Sequence, residues 1–476
     1  MDDLEHVTAW ARTPDRSDVM PVLARLADDD VAGARALAAL AGNPRAVIHL
    51  DDVVRRDWWW CSAHREAREF PVPRRRLDDP ALSPLALALA SAHRDGRVRE
   101  RAVAAIVARP LPDLVPFLVV RTADWVPEVR RRARAGLALV LDDEPGLLPS
   151  ALGVGLRVED WGRGSFVQRQ LVAAAAATDL SPLLSSSDPQ VRWFAFTQGR
   201  WRTDRLVDLA LTGAHVRLRA GAAEAAAREA VWTNRVALLR RLSGSGHAEV
   251  RSQALAGLTR LGHDTEVAAF LEDRSSLVRA LARASAARIG VDPLAHYRSV
   301  VSRGALDGLG EIGSEADAGY LVGLFGHPVP MVRARAVRAL RLLRVEIDDD
   351  VVPLLRDPSP AVVREAARAV RRVPDGLVWE LLADERPVVR RAGYLLAQRS
   401  CTADWLRAAL TAAVDPDPKP ARRAVADTVR FARHTRKWML ADELPREHLP
   451  ELRRLLDRAV PALEADVVDR LRALLA

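Results

Sequence analysis

The 476-residue sequence is poor in cysteine, lysine and aromatic residues. Its two cysteines, Cys61 and Cys401, lie far apart, which excludes a disulfide framework and is typical of a reducing compartment. The sequence has no run of about 18 apolar residues, the minimum for a transmembrane helix. Its N-terminus has no basic segment followed by an apolar one. We therefore expect a cytoplasmic protein without a membrane span or signal peptide.

Sequence patterns that carry chemistry are also lacking. There is no His-Glu-x-x-His, no phosphate-binding loop and no Gly-x-Ser-x-Gly. Cys61 and His64 have the spacing of one ligand pair, but no second pair matches it. We therefore predict no catalytic residue, no metal site and no cofactor.

The residues that are abundant are alanine, leucine, valine and arginine. Alanine and leucine favour helices, and no sustained alternation predicts strands. The net charge is +8, from 71 basic and 63 acidic residues, and only Lys419 and Lys437 are lysines. This arginine excess has two interpretations. It is a basic surface for nucleic acid, or it is the composition that a GC-rich genome imposes.

A short pattern recurs along the chain: an acidic or small turn, an apolar residue followed by arginine, and an alanine-rich helical stretch. Because the chain is longer than the roughly 250–300 residues at which a single core stops growing, a repeat array is favoured. The arginines of the clearest copies are Arg192, Arg251, Arg279, Arg333, Arg364 and Arg390. Those of weaker copies are Arg35, Arg99, Arg130, Arg219 and Arg422.

One repeat can be interpreted as a helix pair. Over 331–343 the apolar residues recur at the spacing of one buried helical face, and 318–325 supplies a shorter apolar helix before it. Asp188-Pro189 and Asp357-Pro358 place a capping acceptor before a proline suited to a first helical turn. A pair of this size buries its apolar face only by stacking on neighbours.

This pattern resembles the HEAT-repeat superfamily, in its short variety of roughly 30-residue repeats. The resemblance implies an all-α, right-handed α-solenoid of stacked helix pairs whose second helices line a concave face. It also implies a ladder in which the repeat arginine pairs with the repeat aspartate of a neighbouring repeat. The pairs so assigned are Arg192 with Asp188, Arg279 with Asp273, Arg364 with Asp357 and Arg390 with Asp384. His215, His247 and His327 lie near the expected acid in three other repeats, where the ladder is expected to change.

Interruptions of the period suggest the domain organisation. We expect N-terminal capping repeats in 1–50, a Trp/Arg-rich insertion in 51–80, a repeat array in 81–440 and a C-terminal helical cap in 441–476. Within the array, 150–165 is rich in glycine and breaks the repeat. Insertions in solenoids often carry the binding function.

Two sets of arginines are candidates for binding a partner. The first would form a basic inner groove. The second would form a stripe in 415–438, a segment that contains seven basic and three acidic residues. The alternative for both is an ordinary solvated surface. The groove residues are Arg134, Arg283, Arg335, Arg338, Arg368 and Arg371, and the stripe residues are Arg422, Arg430, Arg433 and Lys437.

A tryptophan cluster, Trp58-Trp59-Trp60, lies between arginine runs. It is interpreted as a packed plug for the N-terminal end, or as a platform on which bases stack. The other tryptophans, including Trp125, Trp193, Trp201 and Trp232, are expected to fill gaps in the core.

Three functions follow in order of preference. The first is a non-catalytic scaffold that binds a protein partner on its concave face, and the second is a nucleic-acid-binding solenoid. The third is a helical-repeat enzyme that is similar to DNA glycosylases or phycobilin lyases. For the glycosylase reading, Asp124-Trp125 and Trp201-Arg202 offer the residue types of a basic cleft.

Overall fold

The computed structural model describes residues 2–15, 19–56, 77, 82–158, 161, 165–435 and 444–476. Within these ranges the regular elements are α-helices and short 3-10 turns, so the predicted all-α class is confirmed. Trp58-Trp59-Trp60, Lys437 and most of the predicted insertion lie outside the described residues.

The chain divides into two compact units, Met1–Ala222 and Ala223–Ala476. The helices before the division are α1 (Asp3–Arg12), α2 (Met20–Leu26), α3 (Asp30–Ala41), α4 (Pro44–Arg56), α5 (Pro84–Ser91), α6 (Gly96–Ala108), α7 (Val115–Arg121), α8 (Pro127–Asp143), α9 (Leu148–Val158), α10 (Ser165–Ala175), α11 (Pro189–Gln198) and α12 (Thr203–Thr212). Helix α13 (Val216–Trp232) contains the point of division.

The remaining helices all lie in the second unit. They are α14 (Val236–Ser243), α15 (Ala248–Arg260), α16 (Asp264–Ala268), α17 (Ser276–Arg288), α18 (Pro293–Ser299), α19 (Arg303–Ile312), α20 (Ala318–Gly323), α21 (Pro330–Leu343), α22 (Asp348–Val351), α23 (Pro360–Ala369), α24 (Leu377–Leu382), α25 (Pro387–Ala397), α26 (Thr402–Ala413), α27 (Pro418–His434), α28 (Leu449–Ala459) and α29 (Ala465–Leu475).

Within each unit, a short first helix packs against a longer second helix, and successive second helices pack on one another. In the second unit the second helices α15, α17, α19, α21, α23, α25 and α27 form one continuous row. Each pair buries its apolar stripe against the next pair, which is the arrangement of an α-solenoid. None of the helices in the described ranges is both long enough and apolar enough to cross a bilayer.

Helix α21 shows how one repeat builds its core. Val332, Ala336, Ala339 and Leu340 are buried, as their helical spacing predicts. The shorter α20 buries Leu321, whereas Tyr320 on the same helix is exposed. Alanine dominates the contacts between second helices because its small side chain lets them approach closely.

Proline and aspartate start helices in two different ways. Asp188 accepts a hydrogen bond from the Gln190 amide before Pro189 at the first turn of α11, as expected. The prediction for Asp357-Pro358 is wrong, because α23 begins two residues later, at Pro360. Asp357 instead accepts from the Ser359 amide within the preceding turn.

The glycine-rich segment is helical as far as Val158. An added Cβ at Gly153 would lie 2.5 Å from the Pro44 ring, and one at Gly155 would lie 2.8 Å from Leu171. Glycine at these positions therefore lets α4 and α10 approach α9 closely. Close helix packing therefore explains the glycines at 153 and 155, which lie within a helix and not in a loop.

The prediction that the scattered tryptophans fill the core is wrong for two of them. Trp125 is 61% exposed and Trp232 is 90% exposed. Trp193 and Trp201 are half-buried, and the Trp201 indole N–H donates to the Phe196 carbonyl over 2.8 Å. Trp125 lies at a turn, with the Arg99 guanidinium 5.6 Å from its ring centroid, and Trp232 lies at the end of α13.

Candidate functional site

The repeat arginines must first be divided into structural and available residues. In eight repeats the guanidinium group donates to the carbonyl of the residue six positions earlier, in the turn before the second helix. We call these the ladder arginines: Arg99, Arg130, Arg192, Arg219, Arg251, Arg279, Arg333 and Arg390. Side chains on a helix point toward its N-terminus, which lets arginine reach back to this carbonyl.

The ladder arginines also bind acids, but not those assigned from the sequence. Four ladder arginines bind the aspartate in the turn of the following repeat, at 2.7–2.9 Å, instead of the acid in their own repeat. The pairs are Arg99 with Asp124, Arg251 with Asp273, Arg333 with Asp357, and Arg390 with Asp415. Among the predicted pairs, that of Arg390 is therefore wrong by one repeat, because the arginine spans the junction between repeats.

Two of the predicted pairs contain further errors. Asp188 pairs with Arg157, whereas Arg192 donates to the Ser186 carbonyl. Arg279 pairs with Glu311, although it also donates to the Asp273 backbone carbonyl. The acid that Arg279 reaches is therefore set by helix packing and not by distance along the chain.

Arg364 is not a ladder arginine. The residue six positions after Asp357 is Val363, which is buried, and Arg364 is exposed one position further along. Arg422 is displaced in the same way, because Ala421 occupies the ladder position after Asp415. Both arginines therefore contribute charge to the protein surface.

The turn before a second helix can be closed by a histidine as well as by the expected aspartate. Asp124, Asp273 and Asp357 each accept a hydrogen bond from the amide two residues later. His327 makes the same turn through Nδ1, which accepts from the Val329 amide at 3.1 Å. His215 and His247 are not at this position. They lie two residues after Gly213 and Ser245, so the histidines do not mark an opening of the ladder.

The available arginines concentrate on four consecutive second helices of the second unit. We call this set the arginine face. Positions two and five residues after the ladder position, where Arg335, Arg338, Arg368 and Arg423 lie, are on the side of the helix opposite the buried stripe. The arginine face consists of Arg335, Arg338 and Arg341 on α21, Arg368 and Arg371 on or just after α23, Arg391 on α25, and Arg422, Arg423 and Arg430 on α27.

Carboxylates lie beneath these arginines and are shared between them. Asp307 on α19 is 3.1 Å from Arg335 and 3.3 Å from Arg338. Glu365 on α23 is 2.7 Å from Arg368 and 3.9 Å from Arg341. Each acid therefore holds two guanidinium groups, and positive charge remains in excess.

On α27 the shared acid is Asp427. It accepts hydrogen bonds from Arg423 at 2.8 Å, Tyr394 at 3.2 Å and Gln398 at 3.3 Å. The hydrogen bond to Asp427 raises the pKa of Arg423 above its ordinary value. Burial, followed by the Asp427 charge, raises the pKa of Tyr394 above the range of an ordinary tyrosine. Both groups therefore stay protonated at neutral pH.

The exposure of the two kinds of group determines what the surface presents. The Asp307, Glu365 and Asp427 side chains are 6%, 16% and 9% exposed. Their partners Arg338, Arg368 and Arg423 are 38%, 54% and 63% exposed. A molecule approaching this side of the helices meets guanidinium groups first.

The structure separates the ten predicted partner-binding residues. Arg335, Arg338, Arg368, Arg371, Arg422 and Arg430 lie together on the arginine face. Arg433 follows on α27 and is 3.3 Å from Glu464. Arg341, Arg391 and Arg423 also lie on the arginine face and were missed by sequence reasoning.

Arg134 and Arg283 lie elsewhere. Both are four residues after their ladder arginine, a position about 100° away from the five-residue position and toward the packed side. Arg134 donates to the Thr122 carbonyl at 3.0 Å and stacks on Phe166. Arg283 binds Glu311 at 2.7 Å. Their guanidinium groups are engaged in contacts between helices of their own unit.

Among the residues suggested for a glycosylase-like cleft, Asp124 has a structural role. Asp124 is buried and accepts hydrogen bonds from both Arg99 and Arg121. Desolvation opposes its ionisation, but these hydrogen bonds and charges outweigh burial and lower the pKa of Asp124. Within the described ranges no cluster of three or more histidine, cysteine or acidic residues is arranged to hold a metal ion.

The first unit also contains a cleft of about 680 Å³ beside α1 and α4. Asp51, Asp52 and the half-exposed Trp161 are among its lining residues. The Asp51 carboxylate binds the fully buried Arg121. This carboxylate is therefore part of the packing between α4 and α7.

Comparison with known proteins gives no family. No family model and no curated protein matches the sequence. Among solved structures, an engineered protein matches with 17% identity over 100% of this chain and 99% of its own, at a TM-score of 0.17. A structure describing how Kap95p binding induces the switch loops of RanGDP to adopt the GTP-bound conformation matches with 12% identity. That match covers 100% of this chain and 66% of the other, at a TM-score of 0.31. Both TM-scores are too low to support an inference, so the fold class rests on the helices themselves.

Proposed function

We propose that this chain is a non-catalytic, HEAT-type helical-repeat scaffold that binds a protein partner through the arginine face of its second unit. The observation that carries this proposal is the arrangement of charged side chains on α21, α23, α25 and α27. Exposed guanidinium groups cover buried, shared carboxylates. Such a surface attracts an acidic partner and repels a basic one.

The side chains beside the arginine face favour a protein partner over a nucleic acid. Single-stranded nucleic acids are usually bound by aromatic side chains on which bases stack. Exposed large apolar residues on the helices of the arginine face are Met331, Leu342 and Leu395, and the nearby Tyr394 is buried. Aliphatic groups between arginines suit the mixed polar and apolar side chains of a polypeptide.

Charge reversal tests this function with a matched control. The variant Arg338→Glu/Arg368→Glu/Arg423→Glu changes the arginine face. The control Arg131→Glu/Arg202→Glu/Arg228→Glu makes the same charge change at arginines that are 75%, 91% and 71% exposed elsewhere. We expect proteins that co-purify with the native chain to be lost from the first variant and retained by the control.

Two results would contradict the proposal. Equal loss from both variants would show that net charge, and not the arginine face, retains the partner. Recovery of nucleic acid, with loss of all co-purifying protein after nuclease treatment, would favour the nucleic-acid-binding alternative. Nucleic-acid binding of that kind would also weaken steeply between low and physiological salt.

A further inference from the structure

The regular spacing of the arginines on the arginine face restricts the conformation of the partner as well as the sign of its charge. Helices α21, α23, α25 and α27 pack in sequence, and each presents at least one arginine on the same side. Packed helices are about 8–10 Å apart. A ligand that crosses this row therefore meets a guanidinium group at intervals of about 8–10 Å.

One polypeptide conformation repeats at this interval. A polyproline II helix has three residues per turn and rises about 3.1 Å per residue, so equivalent side chains recur about every 9 Å. A β-strand places every second side chain on one face, about 7 Å apart. The polyproline II repeat matches the helix spacing, whereas the β-strand repeat does not.

Contacts between the helices keep the arginines in register. Arg341 on α21 reaches Glu365 on α23, and Arg391 on α25 is 3.0 Å from Asp417 at the start of α27. Arg399, after α25, donates to the carbonyl of Val370, after α23. These links fix neighbouring repeats relative to each other, so the spacing of the charges is a property of the fold.

The guanidinium groups also have unused hydrogen-bonding capacity. Arginine has five N–H donors, of which the Nε groups of Arg338, Arg341 and Arg391 are buried, so a ligand can reach only the terminal N–H groups of these side chains. Asp307 and Glu365 hold the side chains in place and leave outward N–H groups for a second carboxylate. Orienting a side chain before binding lowers the entropy lost on binding.

Resting on the proposed function, we propose that the arginine face binds an extended acidic segment in the polyproline II conformation, with carboxylates at every third residue. Each carboxylate would pair with the arginines of one second helix. Leu342 and Leu395 would contact the apolar side chains between the carboxylates. Unfolded, acidic chain segments populate this conformation without a partner, so little rearrangement is needed.

Peptides of defined spacing test this inference. Fluorescence anisotropy would compare a labelled peptide of four Glu-Pro-Ala repeats with a peptide of the same composition whose glutamates occupy every second position. We expect the first to bind the full-length chain at least about tenfold more tightly. We expect added salt to weaken its binding. A single-stranded oligonucleotide of equal charge serves as the competing ligand.

Three variants separate the positioning of the arginines from simple charge attraction. Arg338→Gln/Arg368→Gln/Arg423→Gln should weaken peptide binding by about tenfold or more, whereas Arg131→Gln/Arg202→Gln/Arg228→Gln should not. Glu365→Gln makes the face more positive but releases Arg368 and Arg341 from their shared anchor. We expect Glu365→Gln to weaken binding, whereas charge attraction alone predicts stronger binding.

The outcomes distinguish this inference from the proposed function. Equal binding of the two peptides, tighter binding with Glu365→Gln, or binding of neither peptide would overturn the spacing argument. If co-purifying proteins still depended on the arginine face, the scaffold function would stand. Tighter binding of the oligonucleotide than of either peptide would contradict both.

Discussion

The distinction between true and apparent ladder arginines gives a sharp prediction for stability. Arg333 donates twice to Asp357 at 2.9 Å and once to the His327 carbonyl at 2.8 Å. Arg333→Ala would leave the Asp357 carboxylate, which is 6% exposed, without its cation. Removing one partner of a buried ion pair costs about 3–5 kcal/mol. We expect the lower end, about 3 kcal/mol, because the Ser359 amide still donates to Asp357.

Arg364 provides the matched comparison. It follows two valines in the sequence, as Arg390 does, but it is exposed and has no ion-pair partner among the described residues. Arg364→Ala makes the same chemical change on the next second helix. We expect it to change stability by no more than about 0.5 kcal/mol.

Native-state hydrogen exchange measures both effects locally, which suits a repeat protein that need not unfold in one step. Peptides covering 327–335 and 357–363 should exchange about a hundredfold faster in Arg333→Ala, since 1.4 kcal/mol corresponds to a factor of ten. The same peptides should change by about twofold or less in Arg364→Ala. Similar acceleration in the two variants, or a larger effect of Arg364→Ala, would refute the assignment of the ladder.

The remaining predictions concern packing and pH. Gly308→Ala would place a Cβ 2.4 Å from the buried Tyr297 ring and should lower the thermal midpoint. Gly319→Ala has no heavy atom within 4 Å of the added Cβ and should raise stability by about 0.5–1 kcal/mol. Burial alone would raise the pKa of Asp357, but its hydrogen bonds with Arg333 and the Ser359 amide lower it overall. The stability it contributes should therefore be present above about pH 4 and be lost as pH falls through its folded pKa.

Each of these predictions has a direct control. Thermal scans of Gly308→Ala and Gly319→Ala under one condition compare a crowded and an open helical glycine. Equal shifts of the thermal midpoint would show that the close contact with Tyr297 is relieved at no cost. For the pH effect, urea titrations between pH 3 and about 6 should show a shallower loss of stability in Asp357→Asn than in the native chain. Parallel curves would show that this carboxylate is not linked to acid unfolding.

The repeat interpretation succeeded where the signal was local. The spacing of Val332, Ala336 and Leu340 defines the buried face of one helix, and neighbouring residues in a helix have a fixed geometry. The same local geometry indicated Asp188 as a cap. For these features the relevant partners lie within a few residues of each other in the chain.

The interpretation of the ladder failed where the partner lay in another repeat. Arg390 and Arg364 follow the same pair of valines, but the turns before them differ in length by one residue. Arg390 is therefore six residues after Asp384, and Arg364 is seven residues after Asp357. Because each helical residue rotates the side chain by about 100°, one residue moves arginine from the buried junction to the exposed face.

The sequence by itself determined that the chain forms helices, that the helices come in stacked pairs, and that arginine is the dominant cation. It also placed six of the predicted residues on what became the arginine face. Only the tertiary structure decided which arginines pair across repeats, and that Asp307, Glu365 and Asp427 lie beneath the guanidinium groups. Helix formation depends on neighbours in the chain, whereas the charge that a surface presents depends on which groups are buried by residues distant in sequence.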